Sequence, residues 1–372
     1  MPSGDRMAFS PADFIGAEGD GIISFGSGQP DLPPPKEVYS CLPTYSAFKY
    51  GPIAGLPKLR AALAEENNAP GGAASRGAAG VGRGFTQDNF VITNGASEAL
   101  DLVLRAVGKP GGKILLHAPY YYSYKPLVEM NHLTPVFVGT TKGKINMEEF
   151  HKAVHDVDAV LINSPSNPTG RVQDVKDLRE IERATADLGL PLISDEVYKD
   201  LIYERENYNL SGPHVVTVNS FSKTFAMCGF RVGYLFSNNV SIVQRCIGLK
   251  THTSMNTNIL GQEMAWHALR VPRSYVDEQV AVWKARRDAI YDGMVGLGLD
   301  VWKPEGAFYI LPKIQDSLRF SWELWQQHQV ITYPGDWFGA PGRVRFSYAL
   351  DVEKIDEGLA RVGKALEGWR RA

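Results

Sequence analysis

The chain has 372 residues, 44% hydrophobic and 22% charged, with a formal net charge of -2. One hydrophobic core rarely grows past roughly 250–300 residues, so two domains are expected. The balanced charge offers no footprint for nucleic acid or an anionic membrane surface, and no run approaches the ~20 apolar residues of a membrane helix.

The three cysteines, Cys41, Cys228 and Cys246, are too sparse and scattered for a disulfide framework or a zinc site. They suit a reducing, cytoplasmic setting. The first residues, MPSGDRMAFSPADF, lack an apolar core of signal-peptide length.

Pro57–Glu66 has helical spacing and good helix formers. The following stretch, Ala69 to Gly84 (APGGAASRGAAGVGRG), cannot pack and reads as a mobile surface loop. Beyond it short apolar strands alternate with amphipathic helices. Strands are expected at Asn89–Thr93, Lys113–His117, Pro135–Val138, Ala159–Asn163, Pro191–Asp195 and His214–Asn219. Helices are expected at Ala96–Val107, Tyr122–Met130, Met147–Val154 and Val175–Leu188. This alternation implies βαβ units in a mostly parallel, doubly wound sheet. Ser241–Arg270 reads as mostly helical and Ser274–Leu297 as one long helix. Short strands near Phe308–Leu311 and Val344–Ser347 and a last helix from Val352 suggest a smaller α/β domain. The expected division is an N-terminal arm (1–37) joining the small domain, a large domain (38–264) and a small domain (265–372).

The most informative motif is SFSKTFAMCGFRVGY, from Ser220 to Tyr234. Lys223 follows a strand end, between hydroxyls, with Arg231 eight residues on. Arginine and serine donors can hold a phosphate, and a lysine can form a Schiff base with an aldehyde. An aldehyde that carries a phosphate is pyridoxal 5'-phosphate (PLP).

Ligands of open parallel sheets bind beyond the carboxyl ends of the strands. Four strand ends carry suspicious polar groups. Gly95, Ala96 and Ser97 open a helix whose free amides can bind an anion. Asn167 lies in NSPSNPTG. Asp195 ends PLISD and can pair with a protonated pyridine nitrogen, keeping the ring electron-poor. Ser220, Ser222 and Lys223 follow the fourth strand. Tyr198 can hydrogen-bond a phenolate oxygen of the cofactor or be a core tyrosine, Asn167 can do the same or form an Asn-Pro turn, and Tyr121 in APYYYSY can stack on the ring or simply pack. Arg345 in RVRFSYA is a lone arginine on an apolar strand, suited to a substrate α-carboxylate held in a two-pronged grip. Arg343 is a competitor for that role.

Together these segments resemble the class I/II aminotransferases, the aspartate-aminotransferase-like family of fold-type I PLP enzymes. Gly28 in GSGQPDLPPP is similar to the family's segment beside the substrate. Tyr50 in KYGPIAGLPKLR resembles the tyrosine that reaches the partner subunit's cofactor phosphate. GASEAL, NSPSNPTG, SDEVY, SFSKTFAMCGFRVGY, PEGAFYI, PGDWFG and RFSYA follow in the family's order. The resemblance implies a homodimer with sites at its interface, PLP as an aldimine on Lys223, and transfer of an amino group from an α-amino acid to a 2-oxo acid. It leaves open a lyase, racemase or cyclase reaction on the same cofactor. Ser97 stands where some bacterial aspartate aminotransferases carry a lysine that helps read a distal carboxylate. The four tyrosines Tyr120, Tyr121, Tyr122 and Tyr124 point instead to an aromatic or broad range of donors. The 69–84 insertion has no counterpart in this reading.

Overall fold

A computed structural model describes residues 21–69, 84–205 and 208–369, together with 10, 13 and 19. Apart from its two end residues, the Gly/Ala-rich stretch lies outside the described residues.

In chain order the elements are β1 (Ile23–Ser24), α1 (Pro57–Asn68), β2 (Phe90–Thr93), α2 (Gly95–Val107), β3 (Lys113–His117), α3 (Tyr124–Met130) and β4 (Thr134–Val138). A small hairpin of β5 (Thr140–Thr141) and β6 (Lys144–Ile145) leads to α4 (Met147–Ala153), β7 (Ala159–Asn163), α5 (Val175–Asp187), β8 (Leu192–Asp195) and β9 (Val215–Ser220). Then come α6 (Phe221–Thr224), β10 (Gly233–Phe236), α7 (Val240–Thr253), α8 (Ile259–Ala268) and α9 (Arg273–Gly296). The chain closes with β11 (Tyr309–Ile310), α10 (Ser317–His328), β12 (Val330–Ile331), β13 (Tyr333–Pro334), β14 (Val344–Ser347) and α11 (Val352–Trp369).

Seven strands form the central sheet in the order β2-β10-β9-β8-β7-β3-β4. β10 runs antiparallel to both neighbours, and the other pairings are parallel. β7, β8 and β9 are buried along their whole length, as expected of strands covered on both faces. α2, α3 and α7 contribute to one core, around Val103, Leu116, Val218 and Val243, and α4 and α5 to another, around Phe150, Ile162 and Ile181. The mixed, mostly parallel sheet is the expected one. The reversed strand β10 is hidden in the sequence, because it begins inside the lysine motif.

The segment Ser241–Arg270 is mostly helical, as expected, and is divided into two helices, α7 and α8. Met255 takes a left-handed φ of 56° between them, which a continuous helix does not accommodate. Near the C-terminus β11, β14 and β13 form a three-stranded sheet, and β1 pairs with β12. Ile23 and Phe25 thereby join a core with Trp283, Phe308, Phe346 and Ile355. The helix α10 is an addition to the elements expected from the sequence, where aromatic and polar residues interrupt its apolar spacing.

Candidate active site

The carboxyl ends of β2, β7, β8 and β9 point the same way and open into one cavity of about 690 Å³. Its lining includes Ala96, Ser97, Tyr121, Asn167, Asp195 and Tyr198, and also Ser220, Ser222, Lys223 and Arg231. Gly28 and Arg345 close it from the other side. Of the residues singled out from the sequence, Gly95, Tyr50, Tyr120 and Arg343 do not line it.

Gly95 nevertheless shapes it. Its φ is +71°, and a Cβ there would lie 2.4 Å from Arg231 Nη2. Glycine is therefore required both by conformation and by space. Arg231 itself sits at a left-handed φ of 56° and donates to the Cys228 carbonyl at 3.0 Å. A non-glycine residue held there marks local strain of the kind found at functional sites. The Ser220 hydroxyl accepts the Ser222 amide at 3.3 Å, capping the short turn that carries Lys223. Lys223 Nζ donates to the Gly28 carbonyl and lies 3.9 Å from Cys228 Sγ. Burial pushes the Lys223 amine below its ordinary pKa; nearby Cys228 opposes this, and the Arg345 and Arg231 cations add to it. A lysine depressed in this way is the more available as a nucleophile and base.

Asp195 is buried at the end of β8. Its Oδ2 accepts the Tyr124 hydroxyl at 2.6 Å, and its Oδ1 accepts the Val197 amide at 3.2 Å. Burial raises its pKa to about 6, although these bonds and the Lys223 charge pull the other way. Among the described residues no cation lies within ion-pair distance of it. A desolvated carboxylate facing a cavity without a cationic partner suits a cationic ring nitrogen. Together with the anion-binding donors of Ser220, Ser222, Arg231 and the start of α2, it makes the donor set fit PLP.

Arg345 is buried and makes no salt bridge among the described residues. Its guanidinium donates to Asn167 Oδ1 at 3.1 Å and to the Gly26 carbonyl at 2.6 Å. Its Nε is buried without a partner. The rings of Tyr309, Tyr333 and Phe338 lie 4.6, 4.7 and 4.8 Å from it. Such an arginine is set to receive an anion. Arg343 does not compete. It precedes β14, lies over the Trp302 ring and faces Asp300 at 3.7 Å, so strand alternation does not carry it into the cavity.

Besides Tyr333, which packs on Arg345, three tyrosines of the cavity have no cofactor role assigned from the sequence. Tyr124 holds Asp195. Tyr309 meets the Tyr198 hydroxyl at 2.9 Å and donates to the Gly28 carbonyl at 3.3 Å. A Cβ on Gly28 would lie 2.9 Å from that Tyr309 oxygen, which explains the glycine. Tyr122 lines the cavity beside Tyr121, their ring centroids 4.7 Å apart. The tyrosine cluster in APYYYSY and the motif PEGAFYI are the sequence signals for them. Tyr50 is 83% exposed and Phe48 89%. Among the described residues no cluster of His, Cys, Asp and Glu is arranged for a metal, and no helix is long and apolar enough to cross a membrane.

A lysine and an aspartate at adjacent strand ends of a mostly parallel sheet, with an anion cup beside them, define a fold-type I transferase. The model of the family "Aminotransferase class I and II" matches residues 20–362, and the chain belongs to that family. It is 32% identical to a probable aspartate/prephenate aminotransferase of Aquifex aeolicus, over 98% of this chain and 96% of that one. It is 34% identical to an aspartate aminotransferase of Pyrococcus abyssi, over 93% and 92%. The crystal structure of an aromatic aminotransferase from Pyrococcus horikoshii superposes with a TM-score of 0.87, at 32% identity over 98% of this chain and 100% of that one. The protein is an enzyme of the transaminase type.

Proposed function

We propose that the cavity binds PLP and moves an amino group from an α-amino acid with an uncharged side chain to a 2-oxo acid. The observation that carries this is the convergence of Lys223, Asp195, Arg231 and Arg345 on one cavity. Bound PLP would supply an aldehyde for a Schiff base with Lys223 and a cationic ring that accepts electrons from a substrate carbanion.

This chain's residues divide the work. Arg231, Ser220, Ser222 and the first amides of α2 hold the phosphate. Asp195 keeps the ring nitrogen protonated and is itself held by Tyr124. Asn167 would donate to the phenolate oxygen, as would the Tyr198 hydroxyl once turned from Tyr309, and Tyr121 would cover the ring face. Arg345 grips the α-carboxylate and so orients the α-hydrogen. Lys223 Nζ would take that proton from the α-carbon and return it to the carbon on the far side of the amino nitrogen, two atoms away.

The remaining lining includes Ser24, Ser27, Tyr122 and Tyr333. Apart from Asp195, the charged lining residues of this chain are Lys223, Arg231 and Arg345, each already given a task. No fourth cation from the described residues waits for a distal carboxylate, which supports a neutral, aromatic side chain. The exposed Tyr50 and Phe48 support a homodimer in which Tyr50 reaches the partner's phosphate. The free thiols suit the cytoplasm. We place the domain division at the end of α8, a few residues beyond the expected 264, since α8 packs on α1 whereas α9 packs on α11; β1 ties the N-terminal segment to the small domain.

The test is 2-oxo acid production from a panel of amino acids by the PLP-loaded protein. Phenylalanine and tyrosine are expected to outrun aspartate. No 2-oxo acid from any donor would reject transamination, and pyruvate with ammonia released without an acceptor would move the protein to a lyase reaction.

A further inference from the structure

A buried charge pair lies behind the helix start that faces the cavity, and the chemistry above makes no use of it. Lys250, on α7, exposes none of its side chain. Its Nζ donates to Glu98 Oε1 at 3.0 Å, to Glu98 Oε2 at 2.9 Å and to Ser254 Oγ at 2.8 Å. The Ser254 hydroxyl donates in turn to Glu98 Oε1. Glu98 stands in the first turn of α2. Its Oε2 accepts the Asn94 backbone N–H at 2.6 Å and the Asn94 side-chain amide at 3.2 Å. On its other side Asn94 offers its carbonyl to Arg231 Nη2 at 3.5 Å. Asn94 is thus bracketed between Glu98 and the arginine of the anion cup, directly before the glycine that has no room for a Cβ.

A carboxylate in the first turn satisfies free amides and is favoured by the helix dipole. The same carboxylate is a unit negative charge close to where a phosphate would sit, and in a partly buried site that repulsion is weakly screened. Lys250 cancels it from behind.

We propose that Glu98 and Lys250 form a positioning pair for the phosphate cup. Glu98 fixes the Asn94–Gly95 turn, and Lys250 neutralises Glu98 so that the cup keeps its positive field. This inference rests on the reading of the cavity as a PLP site.

The test compares cofactor-free wild type, Lys250→Met, Glu98→Gln and the double variant. Each is titrated with PLP and with pyridoxal, which lacks the phosphate, and each is melted to verify folding. Lys250→Met is expected to lose about tenfold or more of its affinity for PLP, the scale of one poorly screened unit charge, with pyridoxal affinity at the wild-type value. Glu98→Gln, which removes the negative charge and leaves that of Lys250, is expected to raise the preference for the phosphorylated ligand above that of the wild type. The double variant should return to the wild-type preference. Equal losses for both ligands, or the same loss in both single variants, would reduce the pair to a helix-packing contact and overturn the proposal. If Lys250→Met fails to fold, the double variant and Glu98→Gln still differ by the Lys250 charge alone, and an equal phosphate preference in those two overturns it. A wild type that binds neither ligand would instead sink the PLP reading.

Discussion

The two walls of the cavity are built differently. The sheet wall takes Asp195, Ser220, Lys223 and the start of α2 from strand ends that share one hydrogen-bonded sheet, with Asn163 opposite Asp195 and Asp195 opposite Val218 in register. The opposite wall joins Gly26–Gly28, Tyr309, Tyr333 and Arg345, segments some 300 residues apart in the chain that meet through the β1–β12 and β11–β14–β13 pairings. The first wall carries charges poised against burial. The second carries one arginine caged by aromatic rings. On the proposed reading, cofactor chemistry sits on the sheet wall and substrate recognition on the long-range one. Removing a sheet-wall group should harm the chemical step or cofactor binding, and removing Arg345 should harm substrate binding.

The largest expected effect is on Lys223. Lys223→Ala should retain PLP and lose turnover by at least the roughly 10²–10⁴-fold attributable to a general base, as read in single-turnover assays; near-normal turnover would remove the lysine from its role. Next, Arg345→Ala should cost ~2–5 kcal/mol in kcat/KM, the range for a lost partner of a buried charge pair, with PLP affinity intact. A PLP affinity that falls as KM rises would mean the two walls are not separable.

Asp195→Asn sharpens the same contrast through stability. An unfolded aspartate ionises near 3.8 and the folded one near 6. The folded state therefore binds more protons between these values, and the cofactor-free protein loses stability as pH rises through that window. Asn removes that cost. The cofactor-free variant should gain roughly 2–3 kcal/mol above pH 6, because each tenfold change in proton affinity is worth about 1.4 kcal/mol, with little gain below pH 4. PLP binding and turnover should weaken. Denaturant melts at pH 4 and pH 7.5 decide it, and an equal effect at both pH values would contradict the burial argument. The smallest effect belongs to Tyr124→Phe. Losing a donor to the carboxylate raises the Asp195 pKa further, so the acid limb of the cofactor-binding profile should move to higher pH; an unmoved limb would show that the 2.6 Å bond does not hold the charge.

The sheet wall is legible in the sequence because its groups lie within a few residues of apolar strands, so strand-end position and residue type together name them. Arg345 is legible as a lone charge on an apolar strand. Tyr124 and Tyr309 stand in the signals APYYYSY and PEGAFYI, but their roles are not legible there, since each acts through a residue on another element that only the folded sheet brings near. Arg343 departs from its expected place because β14 starts one residue after it. The Glu98–Lys250 pair spans 152 residues, and neither side chain stands out in its own helix.

The most direct test of the central claim is the near-ultraviolet and visible absorbance of the PLP-loaded protein before and after addition of single amino acids. The account predicts a visible band, carried by Lys223 and absent from Lys223→Ala, that an aromatic amino acid converts to the aminated form of the cofactor. A protein that shows no such band with added PLP, or the same band without Lys223, would contradict it.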